Sequence, residues 1–144
     1  MKDPSPSSAA TFERSPLPVP TELTAGFWDA AREHVLVVQR CDDCHRYRHY
    51  PQHRCPECLS AAWSWSPVSG RGHVHSFTVT HQAFSPSWAP RLPYAVATID
   101  LDEGVRMLSD LPDEDVDEVA IGRAVEVFFD DVGDITLPRF RLTR

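Results

Sequence analysis

The chain has 144 residues and a formal charge of −7, from 14 basic and 21 acidic side chains. That length makes one domain, or a small module joined to a compact one, with enough chain to bury a real core. No apolar run approaches the roughly 20 residues of a membrane span, and residues 67–144, with 7 basic against 13 acidic side chains, set up a field that repels phosphate backbones and opposes nonspecific nucleic-acid binding.

Residues 1–20, MKDPSPSSAATFERSPLPVP, hold five prolines and four serines and no hydrophobic stretch of the kind that directs export. They read as a disordered leader, and a cytoplasmic location is expected. In that reducing compartment clustered cysteines act as metal ligands or redox groups rather than disulfides. Residues 21–40 follow with a helix and a lead-in strand. Thr21 or Thr24 can cap a helix running through about His34, with Leu23, Phe27, Trp28, Ala31 and Val35 at helical spacing. The stretch VLVVQ then reads as a strand that delivers Cys41. Phe27 and Trp28 suit either a core or a surface that docks on a partner.

All four cysteines lie in CDDCHRYRHYPQHRCPEC, as two C-x-x-C pairs ten residues apart. Two residues between cysteines let a tight turn aim both sulfurs at one point, and a second turn completes a tetrahedron. Residues 41–66 are therefore read as a zinc ribbon with Cys41, Cys44, Cys55 and Cys58 as ligands of a structural Zn²⁺. A thioredoxin-like redox site needs a βαβ setting that is absent from the pattern. An iron–sulfur cluster is the minority use of such cysteines, and a catalytic zinc keeps one position open where four cysteines close the shell. His45, His49 and His53 in the spacer read as surface or packing groups.

From residue 67 the pattern turns to strands. AAWSWSPV leads toward Gly70, and GHVHSFTVTHQAF alternates over the length of a bent strand. PYAVATIDL, GVRMLSDL, RAVEVFFDD and ITLPRFRL follow, with one helical turn in DEDVDEVAIG. Some five short strands with Gly, Pro and Asp at the joints predict a small antiparallel barrel, and the helical turn before the penultimate strand favours a five-stranded OB fold over residues 67–144. The fold class is mainly β: an N-terminal helix, a rubredoxin-like zinc ribbon, then the barrel.

Candidate catalytic groups are weak. His73, His75 and His81 share one face with Phe77 and Val79 if their strand is unbroken, but no nucleophile, base and orienting group stand together with them, with Ser76 or with the acids of Asp100–Glu103. The acids from Asp113 to Glu118 read as a solvated turn. Gly70–Gly72 is too short for a phosphate cradle. The loop QAFSPSWAPRLPY exposes Phe84, Trp88 and Leu92, and suits self-packing or a subunit contact better than a ligand pocket.

The order GFWDA, the cysteine segment, W-x-W, SGRGHVHSFTVTH, PYAVATIDLDEGVRMLSDL, IGRAVEVFF and LPRFR resembles the zinc-ribbon OB-fold family first defined as a domain of unknown function. The resemblance spans about residues 21–144. It implies a non-catalytic accessory subunit that binds a thiolase-like or lipid-transfer-protein-like acyl-CoA enzyme, such as the aldolases of steroid side-chain degradation. There it supports assembly, as a heterotetramer, and acyl-CoA binding. If acyl-CoA reaches this chain, Arg71, Arg91, Arg139 and Arg141 are the cations for its phosphates, and Phe27, Trp28, Phe84 and Trp88 are the apolar contacts for it or for the partner. The alternative is a nucleic-acid-binding OB module, which the acidic barrel half opposes.

Overall fold

The computed structural model describes residues 16–144, so most of the expected leader lies outside the described residues. The first element is helix α1 (Ala25–Arg32). Thr21 and Thr24 shape its approach by bonding each other: Thr24 Oγ1 accepts from Thr21 N at 2.9 Å and Thr21 Oγ1 from Thr24 N at 3.3 Å. The helix stops short of the expected His34 because that residue is left-handed, at φ 58°. His34 N donates to Ala31 O at 2.8 Å and Val35 N to Ala30 O at 3.0 Å, the pair of bonds that closes a helix C-terminus.

Three short strands follow: β1 (Val37–Cys41), β2 (Tyr47–Arg48) and β3 (Trp63–Pro67), antiparallel in the order β2-β1-β3. The lead-in strand is thus the central strand of the ribbon sheet. Only Tyr47 and Arg48 of the aromatic spacer extend as strand. Helix and sheet meet where Trp65 lies on Gly26; a Cβ at Gly26 would sit 2.1 Å from Trp65 Nε1.

The second sheet holds β4 (Arg71–Thr80), β5 (Tyr94–Leu101), β6 (Arg106–Leu111), β7 (Ala124–Val132) and β8 (Ile135–Leu142), in the order β6-β5-β4-β7-β8, every pairing antiparallel. This is the expected five-stranded OB arrangement, and a 3₁₀ turn at Val116–Glu118 stands where the helical insertion was placed. Ala95, Ala97, Ile99 and Leu101 alternate inward along β5. They meet Val74, Met107, Leu111, Val125, Phe140 and Leu142 in a core that also takes in Phe27, Leu36, Val37 and Val38. Helix, ribbon base and barrel therefore share one apolar interior. At Gly72 a Cβ would come within 2.3 Å of Asp100 O, so β4 and β5 need a glycine to approach this closely.

One strand departs from the expectation. The β4–β5 register shifts between Val74 and Ser76, leaving His75 as an extra residue. Ahead of it Gly72 and Val74 point inward; after it Phe77 and Val79 do. His73 is thus on the exposed outer side, opposite Phe77, and His81 falls beyond the strand end. The bulge separates the histidines that an unbroken strand would have aligned with the core residues.

A four-cysteine centre and the cleft beside it

The two C-x-x-C turns are built alike. In the first, Cys41 N donates to Arg46 O and His45 N to Cys41 O, both at 3.0 Å; in the second, Cys55 N donates to Ser60 O and Leu59 N to Cys55 O, both at 2.9 Å. The residue after each pair is left-handed, His45 at φ 63° and Leu59 at φ 65°. Each turn curls so that its two sulfurs face the other turn's. Sγ of Cys41 lies 3.6 Å from that of Cys58, and Sγ of Cys44 lies 3.6 Å from that of Cys55. All four ligand atoms lie within 4.8 Å of one another.

A tetrahedron with Zn–S bonds of about 2.3 Å has sulfurs about 3.8 Å apart, so the set fits one zinc ion. The backbone favours the thiolate at two of the four, Cys41 and Cys55. The N–H of Cys44 holds the Cys41 thiol below its ordinary range, and the N–H groups of Cys58 and Glu57 bring Cys55 down to about 6. At Cys58 the Ser60 N–H favours the anion, but burial and the three neighbouring sulfurs outweigh it and push the thiol up to about 12. Four close thiolates need a cation between them. Four sulfurs also close the shell, which leaves no position for a substrate.

Beside the ribbon lies a cleft of about 210 Å³, walled by Trp28 of α1, by His49, Tyr50 and Pro51 of the ribbon loop, and by Leu108 and Pro138 of the barrel. Its surface is mostly apolar. Tyr50 and Leu108 are more than half exposed at its rim. Phe27 makes its floor, edge-on to Trp28 at 5.0 Å, and is itself core. Phe27 is buried in the core beneath the cleft, and Trp28 packs partly against that core while lining the cleft. Burial drops the His49 imidazole to about 4, so it is neutral at physiological pH.

The arginines named for phosphate binding are mostly engaged. Arg139 Nε donates to Asp110 Oδ1 at 3.0 Å and Nη1 to Asp130 Oδ2 at 2.8 Å, with its guanidinium nearly sealed from water. It is a clasp between strands and is not available to a ligand. Arg91 lies over the Trp88 ring at 4.9 Å and within the field of Asp110, Asp130 and Arg139. Arg141 pairs with Glu126 at 2.9 Å and lies 5.8 Å over Phe128. Arg71 alone of the four is exposed without an ion pair among the described residues. In the loop, Trp88 packs on Tyr94 at 5.1 Å, whereas Phe84 projects into solvent at 82% exposure.

His75 contacts Asp100 at 3.2 Å and Arg106 at 3.2 Å on the exposed outer face. Among the described residues no hydroxyl or thiol joins this set, so it forms a surface polar cluster rather than a nucleophile and its base. The sequence reading missed the cleft walls Tyr50, Pro51, Leu108 and Pro138. The alternation of β6 and β8 marks Leu108 as outward, but nothing in it brings that residue to the ribbon loop.

Comparison with known proteins fits this geometry. Residues 28–64 match the rubredoxin-like zinc ribbon domain of ChsH2, and residues 65–130 match the ChsH2 C-terminal OB-fold domain. A DUF35 domain-containing scaffold protein of Methanocaldococcus jannaschii is 30% identical over 104 residues, which cover 71% of this chain and 73% of that protein. The chain belongs to the DUF35 family. A solved structure named Ltp2-ChsH2(DUF35) aldolase contains a DUF35 chain 34% identical to this one. It superposes with a TM-score of 0.79 over 88% of this chain and 98% of that one. A DUF35 protein from Sulfolobus solfataricus, 13% identical, shares the fold with a TM-score of 0.57 over 85% of this chain and 86% of that one.

Two larger relatives contain the same DUF35 unit. The 3-oxo-4,17-pregnadiene-20-carboxyl-CoA hydratase alpha subunit of Mycobacterium tuberculosis is 38% identical over 79% of this chain. A Thermomonospora curvata protein named as a probable enoyl-CoA hydratase alpha subunit is 35% identical over 88% of it. The chain spans 36% and 39% of the lengths of these two proteins.

Proposed function

We propose that this chain is a non-catalytic accessory subunit of a thiolase-like acyl-CoA enzyme, an aldolase or acyltransferase, with zinc held by Cys41, Cys44, Cys55 and Cys58 as a purely structural ion. The likeness to the DUF35 chain of an aldolase, over nearly the whole of that chain, carries the reading. The closed sulfur shell supports it, because it offers no open metal position. So does the lack, among the described residues, of any nucleophile joined to the His75 cluster. Bound zinc fixes the two turns of the ribbon. Through β1 it fixes the sheet that carries Trp65 against α1.

The cleft and its rim are the proposed contact surface. Trp28, Tyr50 and Leu108 expose apolar area around a depression sized for one or two side chains, the form that anchors take in protein interfaces. Phe84 extends the apolar surface on the loop. Arg71 is the cation left for a CoA phosphate, and CoA is bound mainly by the partner. The assembly is a heterotetramer of two copies of each chain.

Co-expression with a thiolase-like aldolase tests this reading. The tagged chain is expected to retain the enzyme on an affinity column, the complex to cleave its acyl-CoA, and the chain alone to show no turnover. Turnover by the isolated chain, or failure to retain any thiolase relative, would overturn it.

A further inference from the structure

The structural-zinc reading raises a question of charge. One Zn²⁺ with four thiolates carries 2 − 4 = −2. Around it, residues 41–58 supply Asp42, Asp43 and Glu57 against Arg46, Arg48 and Arg54, which sum to zero, so the module as a whole keeps the −2 of its centre and the question is which cation lies nearest to it. Two of those arginines are occupied at the surface. Arg46 leans on Glu57 at 3.5 Å, and Arg54 Nη1 donates to Leu59 O at 3.0 Å.

Arg48 is different. It is 9% exposed, yet its two bonded partners are neutral: Nε donates to Gln39 Oε1 at 2.7 Å and Nη2 to Gln52 O at 3.0 Å. Its Nη1 is buried without a hydrogen-bond partner, and no carboxylate pairs with it among the described residues. Gln39, fully buried, repeats the pattern. Its Oε1 accepts from both Arg48 Nε and Gln52 N, at 2.8 Å for the latter, which fixes the amide and leaves Nε2 as a second donor without an acceptor. Both orphans are donors, so the interior they face is positive. A buried guanidinium without an anion is costly enough that proteins rarely keep one. Arg48 shares a small cleft of about 110 Å³ with the ligand Cys55 and with Arg46 and Glu57; Arg46 takes up Glu57 there, and the tetrathiolate is the anion of that cleft left for Arg48.

We propose that Arg48 is the buried counter-charge of the four-cysteine centre, acting through its field rather than as a ligand. The proposal rests on the structural-zinc reading above. In this role the guanidinium stabilises the −2 centre, and the centre in turn stabilises the charge of Arg48. Gln39 holds the guanidinium in place by its Nε, and Gln52 holds it by Nη2.

Zinc affinity of the full chain, measured by competition with a chelator, tests the pairing. Arg48→Met is expected to weaken zinc binding about tenfold, in the range that outer partners of a metal site control. Arg48→Lys loses the planar fork but keeps the charge, and is expected to stay within about threefold of the parent. Cys58→His lowers the charge of the centre to −1, and the penalty of Arg48→Met is expected to shrink in that background. A Lys variant as weak as the Met variant, or an equal Met penalty in both backgrounds, overturns the proposal. Should Arg48→Met not fold, Arg48→Lys decides alone, and a loss beyond about threefold refutes it. A parent chain that holds no zinc refutes instead the reading on which the proposal rests.

Discussion

Arg139 on β8 reaches Asp110 on β6, Nε to Oδ1 at 3.0 Å with a second bond from Nη2 to Oδ2. These two strands are the ends of the five-stranded order and share no backbone ladder. The forked guanidinium therefore closes the barrel where hydrogen bonds between strands do not, and Asp130 on β7 adds a third bond. Replacing Arg139 with Leu leaves two carboxylates facing each other, one of them largely buried. A loss of about 3 kcal/mol is expected in urea unfolding. Converting Asp110 to Leu as well should recover a good part of it. A loss under about 0.5 kcal/mol would show that the barrel closes without the clasp.

Gly26 inverts the usual helix rule. Alanine in a helix is normally about 1 kcal/mol better than glycine, but here the new methyl would collide with the Trp65 indole. Gly26→Ala is expected to destabilise by about 1–3 kcal/mol, and Trp65→Leu in the same chain should relieve it. A thermal melt of the two single variants and the double variant reads this directly.

His49 predicts a pH dependence. In the folded chain it takes a proton only near pH 4, against 6.5 ordinarily, because burial disfavours the imidazolium. Between those values the unfolded chain binds more protons, so stability falls as pH drops from about 6.5 to about 4. The part due to His49 is at most about 3 kcal/mol. His49→Phe should flatten the curve in that window relative to the parent, while leaving the plateau above pH 7 close to where it was. Parallel curves for parent and variant would refute the assignment.

Cys55→Ser removes one ligand of the centre. Zinc content by metal analysis is expected to fall below one ion per chain, and the ribbon to lose its fold, since metal binding and folding are the same free energy in so small a module. Chelator treatment of the parent should reproduce the effect. A fully loaded serine variant would exclude ligation by Cys55.

Trp28→Ala and Leu108→Ser test the cleft rim. Each is expected to weaken retention of the partner enzyme tenfold or more if it is an anchor, roughly the 1.4 kcal/mol scale of interface hot spots. Phe84→Ser, on an 82% exposed side chain, should leave stability within about 0.5 kcal/mol. Retention unchanged by all three would move the contact surface elsewhere.

The sulfur centre was legible in the sequence because C-x-x-C spacing is chemically narrow: few backbones other than a tight turn satisfy it. The apolar run PYAVATIDL was likewise legible as a strand, while the alternation that turns Ala95, Ala97, Ile99 and Leu101 inward is a finding of the structure. The bulge at His75 was not legible, since an extra residue in a strand carries no residue type of its own. Arg139 read as a cation for phosphate in LPRFR, and Asp110 from the far edge of the sheet together with Asp130 from the neighbouring β7 engages it. The cleft joins four segments, around residues 24–28, 49–51, 107–108 and 137–138, and no local pattern records that meeting.

The extra residue in β4 is what lets Val74 and Phe77, three apart in the chain, sit on the same side of the strand. Dropping His75 would leave Gly72, Val74, Phe77 and Val79 in plain alternation, all still inward, so a gap there costs the contacts with Asp100 and Arg106 but not the seating of the strand. A gap at Thr78 would instead swing Val79 toward water. Length variation along this strand should therefore gather at position 75.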